Sequence, residues 1–168
     1  MKIMVVGGGG REHAIIKKIK ENKQVEEIFA LPGNGGIAAD AKCVDIGAKD
    51  IDRIVEFAVD NMVDFAVVAP DDPLVLGAVD ALQAKGIKTF GPNKKAAIIE
   101  GSKAFSKDLM KKYNIPTAAY ETFTDMEAAL SYIESCPIPV VVKADGLALG
   151  KGVIIAEREN RLARQFVT

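Results

Sequence analysis

The chain has 168 residues, 49% of them hydrophobic and 27% charged, and its 22 basic and 23 acidic side chains leave a formal net charge of −1. This composition is typical of a folded globular protein, and the balanced charge argues against a dedicated nucleic-acid-binding protein, so we expect small-molecule partners. The two cysteines, Cys43 and Cys136, lack metal-ligand spacing and are typical of reduced thiols rather than of a disulfide framework.

The first predicted element is a strand, Lys2 to Gly7, whose apolar run is too short for a signal peptide. A glycine turn follows, and then a helix whose apolar positions Ala14, Ile15, Ile16 and Ile19 can share one face. No later apolar run is long enough to span a membrane. We therefore expect a cytoplasmic protein that has no membrane partner.

The order of strand, turn and helix then repeats along the chain. The predicted strands are EEIFAL, VDFAVVAP and IKTFGP, and the predicted helices are IDRIVEFAVDNM and PLVLGAVDALQAKG. Such alternation predicts an α/β domain, residues 1–100, in which a parallel sheet carries helices on both faces. Because ligands bind at the carboxyl ends of such strands, we expect one edge of the sheet to be lined by the loops GGGGREH, PGNGG, APDDP and FGPN.

The pattern changes in residues 101–168. A helix, SKAFSKDLMKKYNI, is predicted with Ser102 as its N-cap and Pro116 at its end. A strand, TAAYETF, and a helix, TDMEAALSYIES, capped by Thr124 or Asp125, follow it. PVVVKA and VIIAE predict two strands joined by a glycine-rich loop, and RENRLARQFVT begins a candidate helix. These elements would leave a small sheet with an open edge, so we expect a fragment of a longer chain.

The first glycine cluster, GGGGREH, does not complete the dinucleotide fingerprint G-x-G-x-x-G. Counted from Gly7 the third glycine is replaced by Glu12, and counted from Gly8 it is replaced by His13. No acidic residue directly closes the second strand, and both departures argue against a Rossmann dehydrogenase. A glycine turn at a helix N-terminus can still bind an anion, although a purely structural turn, with His13 packed or capping, is an equal alternative.

The acidic stretch PDDP has two interpretations. Asp71 or Asp72 could lie at the carboxyl end of a strand and contact a ligand. Alternatively, both aspartates belong to a turn and cap the next helix.

The second glycine cluster, DGLALGKGV, is not a P-loop. Only three residues separate Gly146 from Gly150, and Gly152 stands where a Walker motif has Ser or Thr. A glycine-rich loop between two strands is the arrangement that kinases use to cover phosphates, and Lys143 and Lys103 would add cations around it. A hairpin without function is the alternative.

Together, the motifs GGGGREHA, PGNGG, FGP, EGSKAFSKDLM, NIPTA and VVKADGLALGKGVI resemble the glycinamide ribonucleotide synthetase family, the phosphoribosylamine–glycine ligases of purine biosynthesis in the ATP-grasp superfamily. The resemblance runs from Met1 to about Glu157. It implies a Rossmann-like pre-ATP-grasp domain, residues 1–100, and a first, incomplete α+β subdomain of the ATP-grasp fold, residues 101–168. It also implies ATP-dependent ligation of glycine to 5-phosphoribosylamine through glycyl phosphate, giving glycinamide ribonucleotide, ADP and phosphate.

The resemblance assigns binding residues but no catalytic residue. Lys103 and Lys143 match the family's ATP-contacting lysines, and Gly146 to Gly152 match its flexible loop over the phosphates. The implied ATP-binding residues are Lys103, Lys143, Gly146, Gly150, Lys151 and Gly152. The implied substrate-binding residues, which would hold the ribose phosphate, are Gly8, Gly9, Gly10, Arg11, Glu12, Asn34, Gly35, Pro70 and Asp71. Ligands for Mg²⁺ or Mn²⁺ are expected beyond residue 168.

The chain departs from the family pattern in two places. Where the family shows GPE, a small residue and PL, this chain has APDDPL, so that Ala69 replaces Gly and the shorter Asp71 replaces Glu. The tail RENRLARQFVT fits the family poorly, and the family's adenine-clamping strands would follow it. We therefore expect a fragment that is inactive alone. The alternatives are another ATP-grasp carboxylate–amine ligase and a non-catalytic phosphate- or nucleotide-binding fragment.

Overall fold

The computed structural model describes residues 1–148 and 152–156. The chain divides into two compact units, Met1–Gly101 and Ser102–Thr168. The strands of the first unit are β1 (Lys2–Gly7), β2 (Glu27–Pro32), β3 (Lys42–Cys43), β4 (Phe65–Val68) and β5 (Lys88–Phe90). Its helices are α1 (Gly10–Lys20), α2 (Ile51–Asp60), α3 (Asp71–Leu76), α4 (Ala78–Ala84) and α5 (Lys94–Gly101), with one 3₁₀ turn (Ile37–Ala39).

The five strands of the first unit form one parallel sheet in the order β3-β2-β1-β4-β5. The central strand β1 pairs on both sides, and its Val5 lies opposite Ala30 of β2 and Val67 of β4. A strand buried on both faces needs a continuous apolar run, which the sequence IMVV of β1 supplies. The predicted parallel α/β architecture is confirmed.

Helices cover both faces of this sheet, because alternate strand residues point to opposite sides. Met4 of β1 belongs to a core cluster that includes Ile54 of α2 and Leu82 of α4. Val5 belongs to a second cluster that includes Ile16 of α1. All five of these side chains are fully buried.

The segment predicted as one helix, PLVLGAVDALQAKG, forms two helices. Gly77 has a φ of +97°, a left-handed conformation that ends α3 and precedes α4. Glycine adopts this conformation without steric cost, so the chain turns there instead of continuing the helix. Helix α3 also begins at Asp71, before Pro73, because proline is tolerated in a helix's first turn.

Three short elements were not predicted: helix α5, strand β3 and the 3₁₀ turn. Helix α5 occupies the segment interpreted as the end of the domain, and the Asn93 side chain accepts a hydrogen bond from the N–H of Ala96 at 2.9 Å near its start. Strand β3 is only two residues long, which is too short for a periodic apolar pattern.

The second unit contains α6 (Lys103–Lys112), α7 (Met126–Ser135), β6 (Val140–Lys143) and β7 (Val153–Ala156). Ser102 caps α6 as predicted, since its hydroxyl accepts from the N–H of Phe105. Asp125 is the N-cap of α7 and accepts from the N–H of Ala128 at 2.8 Å. Strands β6 and β7 form an antiparallel pair, as predicted. Among the described residues, no helix has the length and apolar character needed to cross a bilayer.

The predicted strand TAAYETF is wrong, because residues 117–123 form no strand. Lys107 of α6 donates to the Thr117 hydroxyl at 2.7 Å and to the carbonyl of Ala118 at 3.0 Å. Tyr120 donates its hydroxyl to Asp108 of the same helix at 2.6 Å. Side chains of α6 therefore hold this segment in place of a strand ladder. The candidate helix in RENRLARQFVT lies outside the described residues.

Candidate functional site

The loops that follow β1, β2, β4 and β5 meet at the carboxyl edge of the parallel sheet. The N–H of Gly33, after β2, donates to the carbonyl of Gly7 at the end of β1 at 3.2 Å. A Cβ atom on Gly7 would lie 2.9 Å from Pro70 in the loop after β4, and one on Gly91 would lie 3.2 Å from the carbonyl of Val68. The predicted clustering of these four loops is confirmed.

The first two loops are joined by Asn34. Its side-chain amide donates to the carbonyl of Gly8 at 2.7 Å, and its side-chain oxygen accepts from the N–H of Ile37 at 2.8 Å. A Cβ on Gly8 would lie 2.5 Å from the carbonyl oxygen of Gly33, closer than real Cβ contacts. Gly8 is therefore required by the close approach of the two backbones.

Glu12 holds the glycine turn from inside. Its carboxylate, only 4% exposed as a residue, accepts from the N–H of Gly9 at 2.6 Å and from Nε of Arg11 at 2.9 Å. The first of these bonds is half of a capping box, since Gly9 has no side chain to complete it. A Cβ on Gly7 would meet Glu12 at 2.6 Å, and Gly7 has a φ of +124°. The turn is therefore built around a buried carboxylate.

Beside this turn the first unit contains a cleft of about 370 Å³. The cleft is lined by Arg11, Ala69, Asp71, Leu74, Val75, Pro92, Ala97 and Glu100. Arg11 contributes a guanidinium group on a side chain that is 62% exposed, and Asp71 and Glu100 contribute carboxylates. The remaining lining is apolar or small. Such a cleft suits a small polar ligand that carries an anionic group and hydrogen-bond donors.

Of the predicted substrate-binding residues, only Arg11 and Asp71 line this cleft. Pro70 lies beside them as the residue that precedes α3, and Ala69 also lines the cleft. Asn34 and Gly35 belong to the neighbouring loop and are exposed. Gly9 is the N-cap of α1 and Gly10 is its first residue, and no atom lies within 4 Å of a Cβ placed on Gly10.

His13 is packed against the loop after β2. Its Nε2 lies 2.9 Å from a carboxylate oxygen of Asp40, whose other oxygen accepts from Nζ of Lys20 at 3.0 Å. The hydrogen bond with His13, followed by that with Lys20, holds the pKa of Asp40 below its ordinary value. A Cβ on Gly36 would touch the His13 ring at 3.5 Å. This cluster joins α1 to the loop.

In the second unit, the loop after β6 is tied to the start of α6 by Asp145. The carboxylate accepts from the N–H of Lys103 at 2.6 Å, the N–H of Ala104 at 3.2 Å and the hydroxyl of Ser102 at 3.1 Å. Desolvation, the largest single influence, raises the pKa of Asp145, but the hydrogen bonds from Ala104, Gly146, Ser102 and Lys103 together hold it below its ordinary value. Sequence reasoning missed this residue.

The two lysines predicted to contact ATP differ in their surroundings. The Lys103 ammonium donates to the carbonyl of Gly146 at 2.5 Å. Lys143 is exposed at the end of β6, where it pairs with Val153 of β7. Gly146 has a φ of +89°, and a Cβ on Gly152 would lie 3.1 Å from the side chain of Ala144. Gly150 and Lys151 lie outside the described residues.

No cluster of three or more His, Cys, Asp or Glu side chains within residues 1–148 and 152–156 is arranged to hold a metal ion. The expectation of metal ligands beyond residue 168 stays a prediction.

Family comparison gives two matches that meet one residue before the boundary between the two units. The family described as "Phosphoribosylglycinamide synthetase, N domain" matches residues 1–100, and "Phosphoribosylglycinamide synthetase, ATP-grasp (A) domain" matches residues 101–168. The chain belongs to the phosphoribosylglycinamide synthetase family. A family member from Clostridium acetobutylicum, a phosphoribosylamine–glycine ligase, is 49% identical over 167 residues, which are 99% of this chain and 40% of that protein. The chain thus spans about two fifths of this relative's length.

Solved structures agree with the family assignment. The phosphoribosylamine–glycine ligase of Thermotoga maritima matches with a TM-score of 0.76 at 30% identity, over 99% of this chain and 38% of that protein. A biotin carboxylase from Campylobacter jejuni matches with a TM-score of 0.78 at 18% identity, over 99% of this chain and 40% of that protein. The second likeness shows that the phosphoribosylglycinamide synthetase family shares this fold with a different kind of enzyme.

Proposed function

We propose that this chain carries the front part of a phosphoribosylamine–glycine ligase, an enzyme that joins glycine to 5-phosphoribosylamine at the expense of ATP. The observation that carries the proposal is the cleft that both exposed Arg11 and Asp71, the first residue of α3, line in a chain of the phosphoribosylglycinamide synthetase family. An arginine and a carboxylate in one cleft suit the phosphate and the hydroxyl groups of a ribose phosphate.

The reaction has two balanced steps. A carboxylate oxygen of glycine attacks the γ-phosphorus of ATP, and the bond to the bridging oxygen breaks to release ADP and leave glycyl phosphate. The amine nitrogen of phosphoribosylamine then attacks the acyl carbon, loses a proton and expels phosphate to form glycinamide ribonucleotide. Phosphoryl transfer depends mainly on positioning and charge stabilisation, so the residues of this chain act by holding substrates.

On the ribose phosphate side, Arg11 is the residue we assign to the phosphate. Asp71, at the first position of α3, is shorter than the family's glutamate, but it still lines the cleft beside Ala69. We assign Asp71 to a ribose hydroxyl. The other substrate residues shape the loops: Gly8 and Asn34 join two of them, and Glu12 holds the turn of Gly9 and Gly10. Gly35 and Pro70 stay assigned by position alone.

On the nucleotide side, Lys103 and Lys143 supply the positive charge that a triphosphate requires. Lys103 of α6 donates to the carbonyl of Gly146 in the loop after β6, and Lys143 is exposed at the end of β6. This donor set fits ATP. Gly146, Gly150, Lys151 and Gly152 are the remaining nucleotide contacts we assign, and ATP itself supplies the phosphoryl group. Mg²⁺ or Mn²⁺ would be held by residues of the longer enzyme.

The test is ADP release from ATP and Mg²⁺ by the 168-residue chain, with and without glycine and phosphoribosylamine. The ligase of Clostridium acetobutylicum under the same conditions is the positive control. We expect no turnover by the chain alone, together with measurable binding of ATP and of ribose 5-phosphate. Turnover that needs both co-substrates would establish the ligase and refute the expectation that the chain is inactive alone. If the 168-residue chain binds neither ATP nor ribose 5-phosphate, the proposal is refuted. If it binds them but a longer chain of the same gene shows no turnover, a non-catalytic binding module is favoured.

A further inference from the structure

Asp145 makes more hydrogen bonds than a helix cap requires. Ser102 already caps α6, because its hydroxyl accepts from the N–H of Phe105 at 3.1 Å. Asp145 takes two further first-turn groups, the N–H of Lys103 and the N–H of Ala104, and it also accepts from the Ser102 hydroxyl. The start of α6 is therefore bound to a residue about forty positions further along the chain.

The same two segments are joined a second time by the side chain of Lys103. Its ammonium donates to the carbonyl of Gly146, the residue after Asp145, at 2.5 Å. Lys103 is thus held at both ends: its backbone N–H is bound by Asp145, and its side chain is bound by the next peptide group. A lysine side chain has four rotatable carbon–carbon bonds, so its charge is placed only when contacts of this kind restrict it.

We propose that Asp145 is a positioning residue for the nucleotide site, which sets the location of the Lys103 ammonium next to the exit of β6. This inference rests on the proposed function, since it concerns the charge that would face the triphosphate. Asp145 does not contact ATP; it acts through Lys103. Its carboxylate accepts a hydrogen bond from the Lys103 backbone N–H at 2.6 Å.

The variant Asp145→Asn tests the proposal, because it keeps the size of the side chain while replacing one accepting oxygen with a donating NH₂ group. Asp125→Asn is the matched control. Asp125 also accepts from a first-turn N–H in the same unit, but it caps α7, which contains no lysine. A loss of helix capping would therefore appear in both variants, whereas a loss of lysine positioning would appear only in Asp145→Asn.

The first measurement does not depend on nucleotide binding. The chain is treated with a trace of acetic anhydride, and the rate of acetylation of the Lys103 ammonium group is measured by mass spectrometry. The acetylation rate of exposed Lys85 is the internal reference. We expect Asp145→Asn to raise the relative rate at Lys103 severalfold and Asp125→Asn to leave it unchanged. An unchanged rate at Lys103 in Asp145→Asn would overturn the proposal, provided circular dichroism shows the variant folded; if it is unfolded, Asp145→Glu is measured in its place.

The second measurement is the dissociation constant for ATP in the presence of Mg²⁺, determined by titration calorimetry. We expect Asp145→Asn to weaken binding about tenfold, in the range of a hydrogen bond that involves a charged group, and Asp125→Asn to change it less than about twofold. Combined with Lys103→Met, Asp145→Asn should add no further loss, because the two residues act through one ammonium group. Full additivity, or unchanged ATP affinity in Asp145→Asn, would overturn the positioning role.

Failure of the proposed function gives a different result. If the unmodified chain does not bind ATP, the nucleotide assignment fails, while the labelling rate at Lys103 still decides whether Asp145 positions that lysine.

Discussion

Asn34 donates its side-chain amide to the carbonyl oxygen of Gly8 at 2.7 Å, and this bond joins the loops after β1 and β2. We expect Asn34→Ala to lower the free energy of unfolding by about 1–2 kcal/mol, because the bond to Gly8 and the bond from Ile37 are both lost. Urea unfolding measures the change. Asn22→Ala, which removes one exposed local bond to Gln24, is the control, and an equal loss in both variants would contradict the prediction.

Gly8→Ala should destabilise the fold, although it adds only one methyl group. The new Cβ would lie 2.5 Å from the Gly33 carbonyl oxygen, and a backbone atom cannot move aside as a side chain can. We expect a loss of about 1–3 kcal/mol, the range for overpacked sites. Gly10→Ala is the control, since its Cβ meets nothing within 4 Å and alanine favours the helix. Thermal unfolding should place Gly10→Ala at or above the unmodified chain, and the reverse order would refute this account.

Arg11→Gln tests the ribose phosphate cleft. Arg11 is exposed at the cleft, so its removal should weaken ribose 5-phosphate binding about tenfold, within the range of hydrogen bonds to charged groups. Calorimetry at low ionic strength measures the affinity, and added salt should reduce the difference between the two proteins. Arg53→Gln on α2 removes an arginine of similar exposure, 58%, away from the cleft. Equal losses in both variants would indicate a general charge effect.

Asp40→Asn should change how the free energy of unfolding depends on pH in the acid range. The hydrogen bonds with His13 and Lys20 hold the pKa of Asp40 below its ordinary value in the folded chain. Such a carboxyl group stabilises the fold at pH values above its unfolded-state pKa, and this contribution is lost as the pH falls through the folded-state pKa. Asp40→Asn should therefore lose less stability than the unmodified chain when the pH is lowered from about 6 to about 3, across the ordinary range of an aspartate.

Urea unfolding at several pH values measures this dependence. Asp45→Asn, an exposed aspartate in the loop after β3, is the control and should follow the unmodified chain. Parallel profiles for the unmodified chain and Asp40→Asn would show that the cluster of Asp40, His13 and Lys20 contributes nothing to acid sensitivity.

Much of the first unit could be predicted because local pattern determines it. The apolar run of β1 demands burial on both faces, and a parallel sheet with helices on both sides provides that burial. Once the strands are parallel, their carboxyl ends must share an edge, which is why Arg11 and Asp71 could be placed near one another from the sequence. The resemblance to a known family then supplied the chemistry of the ligand.

The errors arose where a contact distant in sequence, or one torsion angle, decides the structure. A helical pattern continues through Gly77, and nothing in the sequence reveals that its φ is positive. Residues 117–123 have the composition of a strand, but Lys107 and Asp108 of α6 bind them instead. The role of Asp145 was not predicted, because the groups that it binds, at Ser102 to Ala104, are more than forty residues away in the sequence.

The parallel sheet ends in two very short strands, β3 with two residues and β5 with three. An exposed edge strand offers unpaired N–H and C=O groups on which a second chain can add another strand. Only a few such groups are available at either margin, and Lys42 and Lys88 place a charge at each. The central strand β1 can therefore have a strong preference for β-structure, while the short edge strands prevent one copy of this unit from acting as a template for the aggregation of another.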